Sequence, residues 1–142
     1  MRSVNRSRRK LALLLPALAA AQANPAGDLL PSRTYRFEDL PVRTSGRNRS
    51  RAVLNGKTRS GFAVQLHQTE LAPGEMPHAA HRHLHEEAIF LREGTLEVTI
   101  SGQSSRLGPG SVAFVASNEE HGWRNVGTTP AHYFVLALGR DS

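Results

Sequence analysis

Two segments bounded by glycine, with fifteen residues between them, carry the residues that most constrain this 142-residue chain. The first segment reads H-x-H, three residues, E, six residues, G, and the second places a histidine and an asparagine downstream of its own glycine. The defined positions are His81, His83, Glu87 and Gly94 in the first segment and Gly110, His121 and Asn125 in the second. Because imidazole and carboxylate groups are common ligands of transition metals, this pattern indicates a metal site.

The rest of the chain alternates apolar and polar residues with a period of two. Apolar residues occur at positions 62, 64 and 66 and again at positions 96, 98 and 100, and glycines separate such segments. A period of two is typical of strands that bury one face. No stretch has a convincing helical period, so we predict an all-β sandwich or barrel in a single domain.

Both segments resemble the paired motifs of the cupin superfamily. The second cupin motif reads G, five residues, P-x-G, two residues, H, three residues, N, and this chain has Ala116 and Asn118 at the proline and second glycine positions. Asparagine tolerates a positive φ better than most residues other than glycine, so we expect the turn to form. The resemblance implies a double-stranded β-helix, which is the jelly-roll barrel of the cupins.

The resemblance also implies a metal site, with His81, His83, Glu87 and His121 as its ligands. Residues i and i+2 of a strand share a face, whereas a straight strand would carry Glu87 about 13 Å beyond His83, so we expect a turn at residues 84–86. Three imidazoles and one carboxylate suit a divalent transition metal ion such as Mn, Fe, Ni or Zn. An octahedral ion would keep two adjacent positions open, and Glu87 is the one candidate catalytic base among the ligands.

Other side chains near these motifs allow two interpretations each. His85 falls in the expected turn and His78 precedes the first ligand, and both are either solvated loop residues or residues that orient a ligand imidazole. His67 and Gln65 line either the mouth of a pocket or an exposed strand face. Trp123 has the parity of the second-motif histidine, so it either walls the pocket or belongs to the core.

Two surface features bear on partners. Phe90 should point outward from its strand, and together with the apolar strand faces it predicts a homodimer. Residues 43–59 hold six basic residues and no acidic residue around a predicted turn at Asn55-Gly56. This cluster is either a solvated hairpin or a surface that steers an anionic substrate, with Arg51 or Lys57 pairing with a carboxylate at the pocket.

Charge and cysteine content exclude several classes of function. The net charge is +6, from 18 basic and 12 acidic residues, but five of the basic residues lie among the first ten positions. The remaining 13 basic residues nearly balance the 12 acidic ones, so we expect no nucleic-acid partner. The chain has no cysteine, which excludes disulfides, thiolate ligands and a cysteine nucleophile.

The first 23 residues have the pattern of a signal peptide. Residues 7–10, Ser-Arg-Arg-Lys, resemble a twin-arginine box, and an apolar run and an Ala-Gln-Ala cleavage site at residues 21–23 follow. The apolar run is about half the roughly 20 residues that span a bilayer, so we expect a periplasmic or otherwise exported protein with no membrane anchor after processing. A general secretory signal is the alternative. We assign residues 24–35 to an extended lead-in and residues 36–142 to the cupin domain.

These features predict an exported, metal-binding cupin-domain protein that acts on a small organic molecule. One hypothesis is a metal-dependent oxidoreductase of the small dioxygenase type, in which the ion acts as Lewis acid and template. The alternative is a non-catalytic, metal-dependent module that binds a sugar or an organic acid. Both hypotheses stay open at this point, because one fold hosts many functions.

The export route is testable by replacing Arg8 and Arg9 together by Lys. The twin-arginine pathway moves folded proteins, so we expect the double variant to accumulate in the cytoplasm as a folded precursor that already holds metal. Cell fractionation and metal analysis of the precursor measure this outcome. Continued export of the double variant would instead assign the leader to the general secretory route.

Overall fold

The computed structural model describes residues 29–139, which form two antiparallel sheets around one core. A short 3-10 helix, Phe37–Asp39, precedes the first strand. The strands are β1 Val42–Ser45, β2 Asn48–Lys57, β3 Ala63–Leu71, β4 Glu86–Glu93, β5 Leu96–Ile100, β6 Gln103–Leu107, β7 Val112–Val115, β8 His121–Asn125 and β9 Ala131–Leu138. The predicted signal peptide at residues 1–23 lies outside the described residues.

The larger sheet has the strand order β1-β2-β3-β9-β4-β7 and the smaller sheet has the order β6-β5-β8. Every pair of neighbouring strands is antiparallel, and β3 pairs with the last strand, β9, along its whole length. The prediction of an all-β jelly-roll fold is confirmed. Across residues 29–139, no helix is long and apolar enough to cross a membrane.

The core forms between the inner faces of the two sheets. On β4, Ile89 and Leu91 are almost fully buried whereas Phe90 is 40% exposed, as the predicted parity requires. The buried apolar cluster consists of Leu71, Ile89, Leu91, Leu96, Val98, Val115, Trp123, Ala131, Tyr133 and Val135. Because both sheets contribute to this cluster, apolar burial holds them face to face.

The turn predicted at Asn55-Gly56 is wrong, because β2 runs without reversal to Lys57. The hairpin between β1 and β2 reverses at Gly46, whose φ is +57°. Residues 48–57 pair with β1 at one end and with β3 along their length, through a bulge near Ala52, so the Asn-Gly pair lies inside the strand. At Asn118, by contrast, φ is +66°, so asparagine does replace the motif glycine in a left-handed turn.

The outer face of the larger sheet is apolar where β4, β7 and β9 lie side by side. Phe90 stands opposite Val112 on one side and Phe134 on the other, and Ala88 stands between Phe114 and Leu136. Val112 and Phe114 are more than half exposed. We define the outer apolar face by Phe90, Val112, Phe114, Phe134 and Leu136.

Candidate metal centre

The fold brings the three predicted ligand histidines together and places the fourth predicted ligand, Glu87, against two of them. Glu87 is the second residue of β4 in the larger sheet, and His121 is the first residue of β8 in the smaller sheet. The ligating nitrogens of His81, His83 and His121 lie within 4.8 Å of one another. Glu87 Oε1 is 3.3 Å from His83 Nε2, and Glu87 Oε2 is 3.3 Å from His121 Nε2. The carboxylate therefore stands between two imidazoles across the interior of the barrel.

Backbone pairing places the first-motif histidines beside the second motif. His81 and His121 form an isolated antiparallel bridge, in which each amide donates to the other residue's carbonyl at 3.0 and 2.9 Å. A continuous strand through His81 and His83 was expected, but the structure has only this bridge at His81. The chain then bends at residues 84 and 85 before β4 begins, which is the turn that Glu87 requires.

Each of the three histidines is oriented by a backbone carbonyl. The Nδ1–H group of His83 donates to the carbonyl of His85 at 2.8 Å, that of His121 to Glu119 at 2.9 Å, and that of His81 to Ala79 at 3.3 Å. A carbonyl oxygen only accepts, so Nδ1 carries the proton and Nε2 presents its lone pair. This is the tautomer that a metal-ligating histidine needs, and such carbonyl partners are typical of metal sites.

Three polar atoms at the centre of the cluster are buried without a hydrogen-bond partner among the described residues. They are His83 Nε2, His121 Nε2 and Glu87 Oε2. Burying a polar atom without a partner is costly, and burying an unpaired carboxylate costs more. A proton would satisfy one of these atom pairs, whereas one cation would satisfy all three atoms. The donor set therefore fits a divalent transition metal ion.

Partial burial also favours the neutral form of the His81 imidazole. The pKa of His81 is lowered, first by burial and then by the neighbouring His78, against an opposing effect of the Ala79 carbonyl. A lowered pKa keeps His81 deprotonated to lower pH, and only a deprotonated nitrogen binds a metal ion.

His85 is more than a solvated loop residue, which was one of its two interpretations. Its ring stacks on that of His83 with the centroids 3.5 Å apart, and its Nε2 lies 3.4 Å from Glu87 Oε1. His83, His85 and Glu87 thus form a second group of potential ligands that shares two residues with the first. His85 follows His83 by two residues, as His83 follows His81. This repeated spacing is the sequence signal that could have placed His85 at the site.

His78 is exposed, and its ring meets that of His81 edge-on at 4.3 Å. Trp123 combines its two interpretations, because it is almost fully buried in the core cluster and its ring lies parallel to that of His121 at 6.2 Å. Tyr133 meets Trp123 edge-on at 5.8 Å, and burial raises the pKa of its hydroxyl to about 12. The sequence pattern gave no reason to place Tyr133 near the site.

A cavity of about 600 Å³ opens on the inner face of the larger sheet, and His67 and Gln65 line it. Burial lowers the pKa of His67, partly against the charge of Glu87, so this histidine lies within the electrostatic reach of the metal cluster. Neither Arg51 nor Lys57 lines the cavity, and the Arg51 guanidinium pairs with Glu70 at 2.6 Å. Arg51 and Lys57 are therefore the wrong candidates for a pocket cation; the arginines on the cavity wall are Arg43 and Arg49.

The chain is similar to several known proteins. The chain is 36% identical over 83 residues to the L-ectoine synthase of Bordetella parapertussis, covering 57% of this chain and 60% of that protein. It is 30% identical over 82 residues to the tetracenomycin polyketide synthase protein TcmJ of Streptomyces glaucescens, covering 58% and 55%. The chain thus matches little more than half the length of these relatives.

An RmlC-like cupin from Shewanella frigidimarina has a similar fold, with a TM-score of 0.65 and 16% identity over 78% of this chain and 93% of the other. The family model described as "Cupin domain" matches residues 67–137, which are half of the chain and include all four predicted ligands. The chain belongs to the cupin family.

Proposed function

We propose that this protein holds one divalent transition metal ion through His81, His83, Glu87 and His121 and uses it to bind or transform a small organic molecule. The observation that carries the proposal is the convergence of three buried, unpartnered atoms, two imidazole nitrogens and one carboxylate oxygen. When bound, the ion would supply Lewis acidity for a polar group of the ligand.

The chain's own residues prepare the site for this role. Backbone carbonyls fix the imidazole tautomers, and the ring of His85 covers one face of His83. His85 Nε2 lies 3.4 Å from Glu87 Oε1, so in the tautomer that carries its proton on Nδ1 this nitrogen can accept a proton held at the carboxylate. If Glu87 acts as a base, this contact is how its proton would leave the centre.

The cavity beside the cluster has the size of a small-molecule site. Its volume of about 600 Å³ lies within the roughly 300 to 1,000 Å³ of typical ligand pockets. The lining is mixed, with Leu71 and Pro77 beside polar side chains such as Gln65 and Thr69. This combination supports a small organic ligand with both apolar and polar parts.

Two reaction classes fit the proposed centre. Dioxygenase chemistry would require the centre to accept both an organic substrate and dioxygen. Redox-neutral chemistry on a small organic molecule is the second candidate, and similarity to proteins named as a synthase and as a polyketide synthase protein supports it. A non-catalytic binding module would use the same centre without turnover.

We further propose that the protein is exported through its leader and works as a homodimer. The twin-arginine-like box at residues 7–10 supports export to the periplasm. The outer apolar face supports dimerisation, because exposed contiguous apolar surface on a sheet is typical of interfaces between subunits.

Metal content of purified variants tests the proposed ligand set. Loss of a residue that only orients a ligand typically lowers metal affinity by roughly 10- to 100-fold. We expect His121→Ala to lower it by more, because this variant removes the ligand that the smaller sheet supplies. His85→Ala should cost less, since it removes a partner of Glu87. The control is His132→Ala on β9, and equal metal loss in His121→Ala and His132→Ala would contradict the assignment.

Oxygen consumption separates the reaction classes. Protein loaded with Fe(II) or Mn(II) is incubated with catechols, flavonols and small diketones while dissolved oxygen and product formation are recorded. A dioxygenase consumes one oxygen molecule for each substrate, and redox-neutral chemistry yields product in the absence of oxygen. Binding without product under either condition, across the panel, would favour the non-catalytic module. Loss of oxygen consumption, product formation or binding in His121→Ala would show that the activity depends on the metal centre.

The oligomeric state tests the outer apolar face. We expect light scattering to give the mass of a dimer at micromolar concentration and Phe114→Glu to give a monomer, because a buried unpaired carboxylate would destabilise the interface. Phe62→Glu, which changes another exposed phenylalanine outside this face, should remain dimeric. A monomeric wild-type protein would contradict the proposal.

A further inference from the structure

The cavity beside the metal cluster is built from one face of three neighbouring strands. Its wall contains alternate residues of β3, namely Gln65, His67, Thr69 and Leu71, together with Ser50 and Ala52 of β2. Since alternate residues of a strand share a face, these side chains all project from the concave side of the larger sheet. The outermost strand, β1, contributes Arg43 and Ser45 to the same wall.

Strand register confirms that Arg43 belongs to this concave face. Arg43 stands opposite Ser50, and Ser50 stands opposite Thr69, so the three form one row across β1, β2 and β3. Arg49, the other arginine that borders the cavity, has the opposite parity, and its guanidinium lies 3.7 Å from the Glu70 carboxylate.

The charge of the cavity is positive. Its wall contains Arg43 and Arg49 and no aspartate or glutamate. Arg49 is partly neutralised by Glu70, whereas Arg43 forms no ion pair with any residue that the structure describes. A guanidinium in a concave, carboxylate-free wall is a preferred site for a carboxylate, which it can bind through two parallel hydrogen bonds.

The cavity and the candidate metal centre share one sheet face. Gln65 stands opposite Ala137, which stands opposite Glu87, so one row of side chains leads from the cavity to the cluster. Two steps between strands correspond to about 10 Å. The effect of Glu87 on the pKa of His67 agrees with this proximity. None of the four proposed metal ligands lines the cavity, so the cluster lies beyond the end formed by Gln65 and His67, whereas Arg43 lies on the edge strand β1.

We propose that the cavity selects small organic carboxylates, with Arg43 binding the carboxylate and Gln65 and His67 contacting the part of the ligand nearest the metal centre. The inference rests on the proposed function and adds the substrate class. Arg43 and Ser45 lie before residue 67, where the match to the family model begins, so this part of the site comes from a segment outside the matched region.

Calorimetric titration with paired ligands tests the selection. Zn-loaded protein is titrated with linear mono- and dicarboxylates of two to eight carbons and with the neutral amide of each. We expect at least one acid to bind more tightly than its amide, and we expect Arg43→Gln to lower the affinity for that acid at least about tenfold while the affinity for the amide stays the same. The affinity of Arg43→Lys for the acid should lie between those of the wild-type protein and Arg43→Gln, because lysine keeps the charge but not the fork of donors.

The control variant is Arg106→Gln, which removes an exposed arginine from β6 of the other sheet and should leave acid binding unchanged. No preference for any acid over its amide, or equal effects of Arg43→Gln and Arg106→Gln, would overturn the inference. Circular dichroism and metal content of each variant establish that fold and metal loading are retained.

The same titrations separate failure of this inference from failure of the metal proposal. If acid binding is lost in His121→Ala but unaffected in Arg43→Gln, the acids bind at the metal itself, and the role of Arg43 is refuted while the metal centre stands. If the wild-type protein binds no metal, the proposed function fails. Binding of acids that still depends on Arg43 in that metal-free protein would support the anion site by itself.

Discussion

The rest of the site depends on the position of the buried Glu87 carboxylate. It extends from the larger sheet to within 3.3 Å of His121 Nε2 on the smaller sheet, and it lies equally near His83 Nε2. Both imidazoles present lone pairs rather than protons, because their Nδ1–H groups donate to backbone carbonyls. A buried carboxylate facing two lone pairs is electrostatically unfavourable unless a cation lies between them, so the arrangement is most stable with a metal ion.

The backbone near the site serves this arrangement. The bridge between His81 and His121 attaches the first motif to the edge of the smaller sheet, and the bend at residues 84–85 returns the chain to the larger one. Gly94, the last residue of the first motif, has a φ of +88°, and a Cβ there would lie 2.7 Å from the Cα of Ala131. The motif glycine therefore permits close packing of the turn after β4 against the start of β9.

Much of this was predictable because the signals are local. The period of two predicted an all-β sandwich or barrel and the outward position of Phe90, and the ligand spacing predicted the turn before Glu87. The resemblance to the cupin motifs narrowed the fold to a jelly-roll. Features that depend on strand register were not predictable. The Asn55-Gly56 pair looks like a turn until β2 is known to pair on both sides, and Arg43 could not be distinguished from Arg51 before the concave face was known. The choice between a loop residue and an orienting partner at His85 could not be made from the sequence, because stacking on His83 depends on the geometry of the bend.

The most direct test of the account is the location of the metal ion in crystals of the metal-loaded protein, measured by anomalous scattering at the absorption edge of the ion. The account predicts one ion per chain, bound by Nε2 of His81, His83 and His121 at about 2.0 to 2.2 Å and by a carboxylate oxygen of Glu87. An ion bound by His83, His85 and Glu87 without His81 and His121, or no ion in the interior at all, would contradict it.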